Sequence, residues 1–440
     1  MTGAAAPARS GGPTVVDVVL FVSAVLALFV FSGGWVAPFA PPADNPSLES
    51  PIPRAINSPA YALGALIALA CAPNLIRTAV RSPFLIMMLL IAAASFIWSF
   101  DGAQTMRRAI ALGLSTFVAV AIAARWDWDR LAEVLATCFA VLVVLTYAVA
   151  IGVPNLGRML ELFPGAWRGL WPEKNAMGGN MALGYGIFLA AAALNPRRRG
   201  LWAGFAVLAL GLVLLSTSKT SLLCAVLATG AAVFVGLVRR GPVTSLATMM
   251  TAVVGVALIG AFAVFASDVF FDLLGKDSSL TGRTEIWEPA IRQAQQRPWL
   301  GWGYGAVWTD QSGWGALAWI THHAGFRAIH AHNSWIGIWL ETGWLGVAAW
   351  VLLYVETVAL ALIAVFRHRG AWLALPFLVA YSLMTVSETV AFTYNDLRWM
   401  IFVMIAVKLA APHPVIAPAL THHRRRVWAE PVFRPQTTSA

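Results

Sequence analysis

The chain has 440 residues, of which 59% are hydrophobic and only 11% charged. A soluble chain of this length would fill about three domains and carry roughly 25% charged residues. An ordinary soluble protein is therefore excluded, and the low polarity excludes intrinsic disorder. The net charge of +10 is not read as a nucleic-acid signal, because the basic residues stand in short clusters between long apolar runs. That is the pattern that sets orientation in a membrane.

A spanning helix needs about 20 mostly apolar residues. This ruler predicts an all-α polytopic integral membrane protein with about twelve transmembrane helices. They fall at 15–36, 60–76, 83–100, 109–124, 131–152, 176–194, 201–217, 220–238, 246–267, 344–366, 371–391 and 397–411. The first is read as a span and not as a cleaved signal peptide, because its apolar core is too long. Cys71, Cys138 and Cys224 lie inside apolar runs, so no disulfide is expected.

Arginines set the orientation. One set of loops holds Arg77/Arg81, Arg125/Arg130, Arg197–Arg199, Arg239/Arg240, Arg367/Arg369 and the tail Arg424–Arg426. The positive-inside rule puts both termini in the cytoplasm. The resulting plan has a cytoplasmic N-terminal tail at 1–14 and the first nine spans at 15–267. One large loop on the outer face follows at 268–343, then the last three spans at 344–411 and a basic cytoplasmic tail at 412–440. The tail can touch anionic lipid. A loop as long as 268–343 is expected to be functional.

Asp127-Trp128-Asp129 has the look of a metal-binding Asp-x-Asp, yet it stands in a short cytoplasmic loop between Arg125 and Arg130. It reads as an interface turn with local ion pairs. On the outer face, Arg107 and Arg108 precede a span, Lys174 opens the sixth, and Lys219 lies in a short turn between two spans. Each alone is explained by snorkelling to headgroups. Several converging against the positive-inside bias favour an anion site.

Within the large loop a helix is expected to start at Thr284, burying Ile286, Trp287, Ala290, Ile291 and Ala294, and to end at Pro298. Gly301, Gly303 and Gly305 follow. They have no βαβ context for a nucleotide fingerprint and are expected to form a tight turn against the membrane surface. His330-Ala331-His332-Asn333-Ser334 then leads into a short interfacial helix through Trp335 and Trp339. A helix N-terminus favours bound anions, and a neutral His332 there suits a general base. The bland alternative is that these histidines only hydrogen-bond within the loop. His322, His323, His330 and His332 stand close in sequence, but the loop lacks HExxH spacing, so no metal is expected. Of the intramembrane acids, Glu388 is favoured over Glu356 because it lies toward the same face as His332.

Thr281-Gly282-Arg283…Trp287, Pro298-x-x-Gly301-x-Gly303, His332-Asn333-Ser334 and Glu341-x-Gly343-x-x-Gly346 stand in this order in one loop. The pattern resembles the O-antigen ligase/polymerase superfamily over about residues 95–395. Glu173-Lys174-Asn175-x-x-Gly178 and Ser216-x-Ser218-Lys219-Thr220-Ser221 look most like its exopolysaccharide polymerase branch. The resemblance implies glycosyl transfer at the periplasmic face from an undecaprenyl-pyrophosphate-linked glycan donor to a glycan acceptor, without cofactor, metal or nucleic acid. His332 matches the base, and Arg283 and Lys219 match pyrophosphate-binding positions. Arg108 and Lys174 are further candidate cations. Glu341, Glu388, Asn333 and His330 are supporting residues. Membrane lipids and a chain-length regulator are candidate partners. A ligase moving finished glycan to lipid A core or protein remains open, as does a lipid-linked oligosaccharide flippase.

Overall fold

The computed structural model describes residues 14–36, 38, 51–160, 163–265, 283–310 and 312–411, with the side chains of 51–54 and 259–265 left aside. The expected Thr281-Gly282 motif and the tail after 412 lie outside these residues, as does the expected N-terminal tail except for Thr14.

Among the described residues the regular structure is helical, apart from an isolated bridge between Arg158 and Trp167. α1 (Val15–Phe31) is started by a capping box between Thr14 and Asp17. α2 (Pro51–Ala70) and α3 (Ala72–Ala79) follow, then α4 (Pro83–Ala94), α5 (Gly102–Arg125) and α6 (Trp128–Gly152). A single turn, α7 (Pro154–Gly157), precedes α8 (Lys174–Leu194), α9 (Arg199–Leu215), α10 (Lys219–Val238) and α11 (Pro242–Phe265). α12 (Arg283–Gln296) and α13 (Ala316–Ala324) build the large loop. α14 (Ser334–Arg367), α15 (Ala371–Ser387) and α16 (Leu397–Ala410) complete the bundle.

Among the described residues, six helices are long and apolar enough to cross a bilayer: α5, α6, α8, α9 with the turn before it, α10 and α14. The expected span at 60–76 is not one straight helix. It is the pair α2 and α3, bent by 102° at Cys71. Pro73 sits in the first turn of α3; it lacks the N–H that a continuous helix would use, so a new helix starts there. α1, α4 with its following turn, α11 and α15 are shorter apolar helices. α16 has only 14 residues, about 21 Å at 1.5 Å per residue.

α8 is the most enclosed of those six helices, with 83% of its most apolar stretch buried against its neighbours. It packs on α6, α9, α10 and α15, so a cation at its first residue enters the bundle interior. α12 packs on α13 and α14. Ile286, Ala290, Trp302, Leu317, Ile320 and Leu340 form a second small core there. The large loop is therefore folded over its described part. α12 starts at Arg283, one residue before the expected Thr284. The Asp127-Trp128-Asp129 turn is structural, as expected: Asp127 caps α6 and Asp129 pairs with Arg369 at 2.9 Å.

Candidate active site

Two glycine motifs make the platform. Gly343 breaks α14 with φ 66° and ψ −168°. A Cβ there would stand 2.2 Å from the Trp299 carbonyl carbon, and one on Gly301 would stand 2.5 Å from that of Glu341. The two backbones touch, and Trp302, Gly303, Trp344 and Leu345 N–H donate across the contact to Leu340, Glu341, Pro298 and Trp299 carbonyls. The expected tight turn is present, with Gly301, Gly303 and Gly305 at positive φ and Ala306 N–H donating to the Gly303 carbonyl, but it is buried in the protein: Gly301 and Gly343 lock one motif onto the other, because only glycine permits that approach. Residues 334–342 thus form a short helix separate from the span that begins near Trp344, as the spacing predicts.

His332 stands two residues before that helix. Its φ is 49°, in the left-handed region, which costs a non-glycine residue about 1–2 kcal/mol. Local bonds hold it. Asn333 caps the helix by accepting from Trp335 and Ile336 N–H. His332 N–H donates to His330 Nδ1 at 3.2 Å. Ser334 is fully buried; its hydroxyl donates to the Glu388 carbonyl and accepts from Val390 and Ala391 N–H. That clamp fixes the chain just past α15 beside His332.

The side chains then meet at one carboxylate. Glu388 Oε2 lies 3.0 Å from His332 Nδ1, and its Oε1 lies 2.7 Å from Arg283 Nη2. All three side chains are between 14% and 21% exposed, so they are shielded yet reachable. Arg283 arrives through α12. Trp287, one turn along the same face, donates its Nε1–H to the Ala331 carbonyl at 2.9 Å.

Burial pushes the Glu388 carboxyl up, but the hydrogen bond from His332 and the neighbouring His332, Arg283 and His330 together bring it below the ordinary carboxylate value. An ionised carboxylate only accepts, so in a neutral imidazole this contact places the proton on His332 Nδ1 and the lone pair on Nε2. Burial first, then His332, Arg398 and Arg283, push the His330 imidazole down to about 3 against the opposing pull of Glu388. His330 stands on the same side as His332. The left-handed turn at His332 leaves the two rings 3.9 Å apart.

The remaining expected residues fall into two other groups. Arg108 donates to the Gly305 carbonyl and lies over the Tyr394 ring, while Glu341 Oε2 accepts from Gly305 N–H at 3.0 Å. They form a strut that holds the 301–306 segment between α5 and α14, apart from the His332 carboxylate contacts. Lys174 donates to Thr217 Oγ1 at 3.1 Å and lies 3.6 Å above the Phe163 ring. Lys219 acts on its charge from nearby. Gly179, in the second turn of α8, packs on Met384, one turn before Glu388. The lysine pair is therefore at the same end of the bundle as Glu388.

Sequence reasoning passed over Arg398. It pairs with Asp396 and its charge reaches both Glu388 and His330. Its only signal was an Asp-x-Arg opening the last helix. Ser334 was also missed as the clamp. Among the described residues, His330, His332 and Glu388 offer one ligand atom each within 4.8 Å of one another, a set that could hold a metal ion. His322 and His323 are not part of it; they stand at the end of α13, where His323 bonds the Trp319 carbonyl.

This is a polytopic helical membrane protein with a His–Glu–Arg cluster at one end of its bundle. Residues 204–351 match the family model described as O-antigen ligase. The chain is also 32% identical over 220 residues to the exopolysaccharide production protein ExoQ of Rhizobium meliloti (strain 1021). That match covers 46% of this chain and 48% of the relative, so the chain spans about half the length of the curated relative it matches. Both findings support the O-antigen ligase/polymerase superfamily, on its exopolysaccharide side.

Proposed function

We propose that the protein polymerises undecaprenyl-pyrophosphate-linked oligosaccharide repeat units at the periplasmic face of a bacterial inner membrane, with both termini cytoplasmic. The observation that carries this reading is the His332–Glu388–Arg283 arrangement. A base oriented by a carboxylate is what activates a hydroxyl nucleophile. The neighbouring guanidinium suits a pyrophosphate.

In this mechanism an acceptor sugar hydroxyl attacks the anomeric carbon of the donor. Its proton passes to His332 Nε2. The bond from the anomeric carbon to the pyrophosphate oxygen breaks, and the electron pair leaves with the lipid pyrophosphate. Attack opposite the leaving group inverts the anomeric centre. One positioned base supplies about 10²–10⁴-fold. Fixed cations in a shielded site stabilise the departing charge. Arg283 fills that role beside the base, and Lys174 and Lys219 hold the donor further along the same end. Arg108 and Glu341 keep the loop in place.

The test is polymerisation by purified protein supplied with lipid-linked repeat units. His332→Ala should insert, bind donor and make no polymer; full activity in that variant removes the base assignment. The His330–His332–Glu388 set favours one second reading, a metal site. Activity lost to chelator and restored by zinc selects it. In a deletion strain, single repeat units accumulating outside support the polymerase. Accumulation inside indicates a flippase, and normal long chains left unattached indicate a ligase.

A further inference from the structure

The end of the bundle opposite His332 carries a second built site. α16 runs from Arg398, beside the Glu388 cluster, to Lys408. α5 runs from Arg108, at the Gly305 strut, to Ala123 and Ala124. Across the far ends of both lies α3, none of whose residues is buried.

Asn74, Arg77 and Thr78 share one stripe of α3 by their spacing, and Arg81 follows just past its end. With Ala123, Ala124 and Lys408 they line a cavity of about 240 Å³ that has no acidic residue in its wall. Lys408 is only 7% exposed, and its Nζ donates to the Ala123 and Trp126 carbonyls at 3.3 and 2.7 Å. Its charge is thus fixed at the wall. Asp127, whose charge reaches Lys408, caps α6 through Arg130 N–H. Beside the cationic stripe, Ile76 and Val80 stand one turn apart and are 67% and 63% exposed. A short helix with one cationic and one exposed apolar stripe is built to lie in a membrane interface.

We propose that this cavity binds the phosphodiester headgroup of one anionic phospholipid. Arg77 and Arg81 take the phosphate oxygens, whose geometry a guanidinium fork matches. Lys408 supplies a fixed charge behind them, and Asn74 and Thr78 supply neutral hydrogen bonds. An acyl chain runs along Ile76 and Val80. A free phosphate shares the headgroup chemistry but has no use for those two residues.

The experiment places the full chain in phosphatidylcholine nanodiscs, titrates phosphatidylglycerol, and reads bound lipid by native mass spectrometry. Inorganic phosphate is added as a separate competitor. The natural chain should retain phosphatidylglycerol about tenfold better than phosphatidylcholine, the scale of charge-assisted hydrogen bonds. Arg77→Ala/Arg81→Ala should lose that preference, and Arg77→Lys/Arg81→Lys should keep part of it. Ile76→Ser/Val80→Ser should weaken phosphatidylglycerol retention. Equal retention of both lipids by the natural chain, or an unchanged preference in the double alanine variant, overturns the site. Full displacement by inorganic phosphate, with no effect of the serine pair, overturns the lipid in favour of free phosphate. Lipid retention is read without sugar transfer, so the result does not depend on the proposed function.

Discussion

His332 Nδ1 lies 3.0 Å from Glu388 Oε2, although 56 residues separate the two in the chain. The contact selects the imidazole tautomer and aims Nε2 away from the carboxylate. In the proposed mechanism Glu388 is therefore a positioning residue: it need not touch substrate to govern the base.

Glu388→Gln tests that role. A neutral amide can donate to Nδ1 as readily as accept from it, so part of the His332 population carries its proton on Nε2. We predict a fall in kcat of about 10²-fold or more, toward the full value of a general base, with donor KM nearly unchanged. Purified-enzyme kinetics check this. Equal losses in kcat and in folded protein would assign Glu388 to structure alone.

Arg283 pairs with Glu388, and in the proposed mechanism it also serves the leaving group. Arg283→Ala should lower kcat/KM by about 10- to 150-fold, the value of a charged hydrogen bond of about 1.5–3 kcal/mol. It should also move the acid limb of the pH–rate profile upward, because one of the charges holding the Glu388 carboxyl down is removed. Arg283→Lys should restore the acid limb better than the rate, since the charge returns without the planar fork. A pH profile that does not shift in Arg283→Ala would separate Arg283 from the dyad.

The orientation has its own test. Cys71, Cys138 and Cys224 are all buried, so an impermeant thiol reagent meets little background. Ser312 is exposed near the tip of the folded loop. We predict that Ser312→Cys reacts in intact cells whose outer membrane has been permeabilised. Labelling only after lysis of the inner membrane would turn the loop, and the reaction, to the cytoplasm.

Much of this site was legible residue by residue. His332, Arg283 and Glu388 stood out as ionisable groups on the outer face of an apolar chain. The meeting of Glu388 with both others was not legible, because it depends on Trp287 tying α12 to Ala331 and on Ser334 tying α14 to the end of α15. No local pattern marks those ties. A left-handed histidine is equally silent in sequence, which is why the approach of the His330 and His332 rings was not legible. The helix break at Cys71 could have been read from Pro73, whereas the apolar ruler runs straight through it. Arg108 and Arg283 look alike in sequence; only the fold separates a strut on Gly305 from a partner of Glu388.

His330 makes a prediction about acid stability. Its imidazole is held down at about 3 in the folded chain against an ordinary 6.5. Between those values the unfolded chain binds a proton that the folded chain does not. The stability from this group is therefore fully present above about pH 6.5 and is lost as pH falls toward 3. The slope is at most about 1.4 kcal/mol per pH unit. His330→Phe should flatten the fall of the thermal midpoint between pH 6 and 4 in detergent, a window chosen inside the two values above. An unchanged slope would show that another group carries the acid sensitivity.

Gly343 decides whether the large loop is joined to the last spans by a continuous helix or by a break. In a regular helix, replacing glycine by alanine stabilises by about 1 kcal/mol. In the structure Gly343 has φ 66° and ψ −168°, a region open essentially only to glycine, where another residue costs about 1–3 kcal/mol. Its added Cβ would also meet the Trp299 carbonyl carbon at 2.2 Å, and backbone there cannot swing aside as a side chain could. The two geometries thus predict opposite signs for Gly343→Ala. We predict a lower thermal midpoint and a lower transfer rate, because the shifted junction carries residues 334–342 and moves His332 relative to Glu388. Gly301→Ala should do the same from the other side, where its Cβ would meet the Glu341 carbonyl carbon at 2.5 Å. The double variant should cost less than the sum of the two, since each already opens the same contact. A raised midpoint for Gly343→Ala would make α14 one straight helix and remove the platform on which His332 is placed.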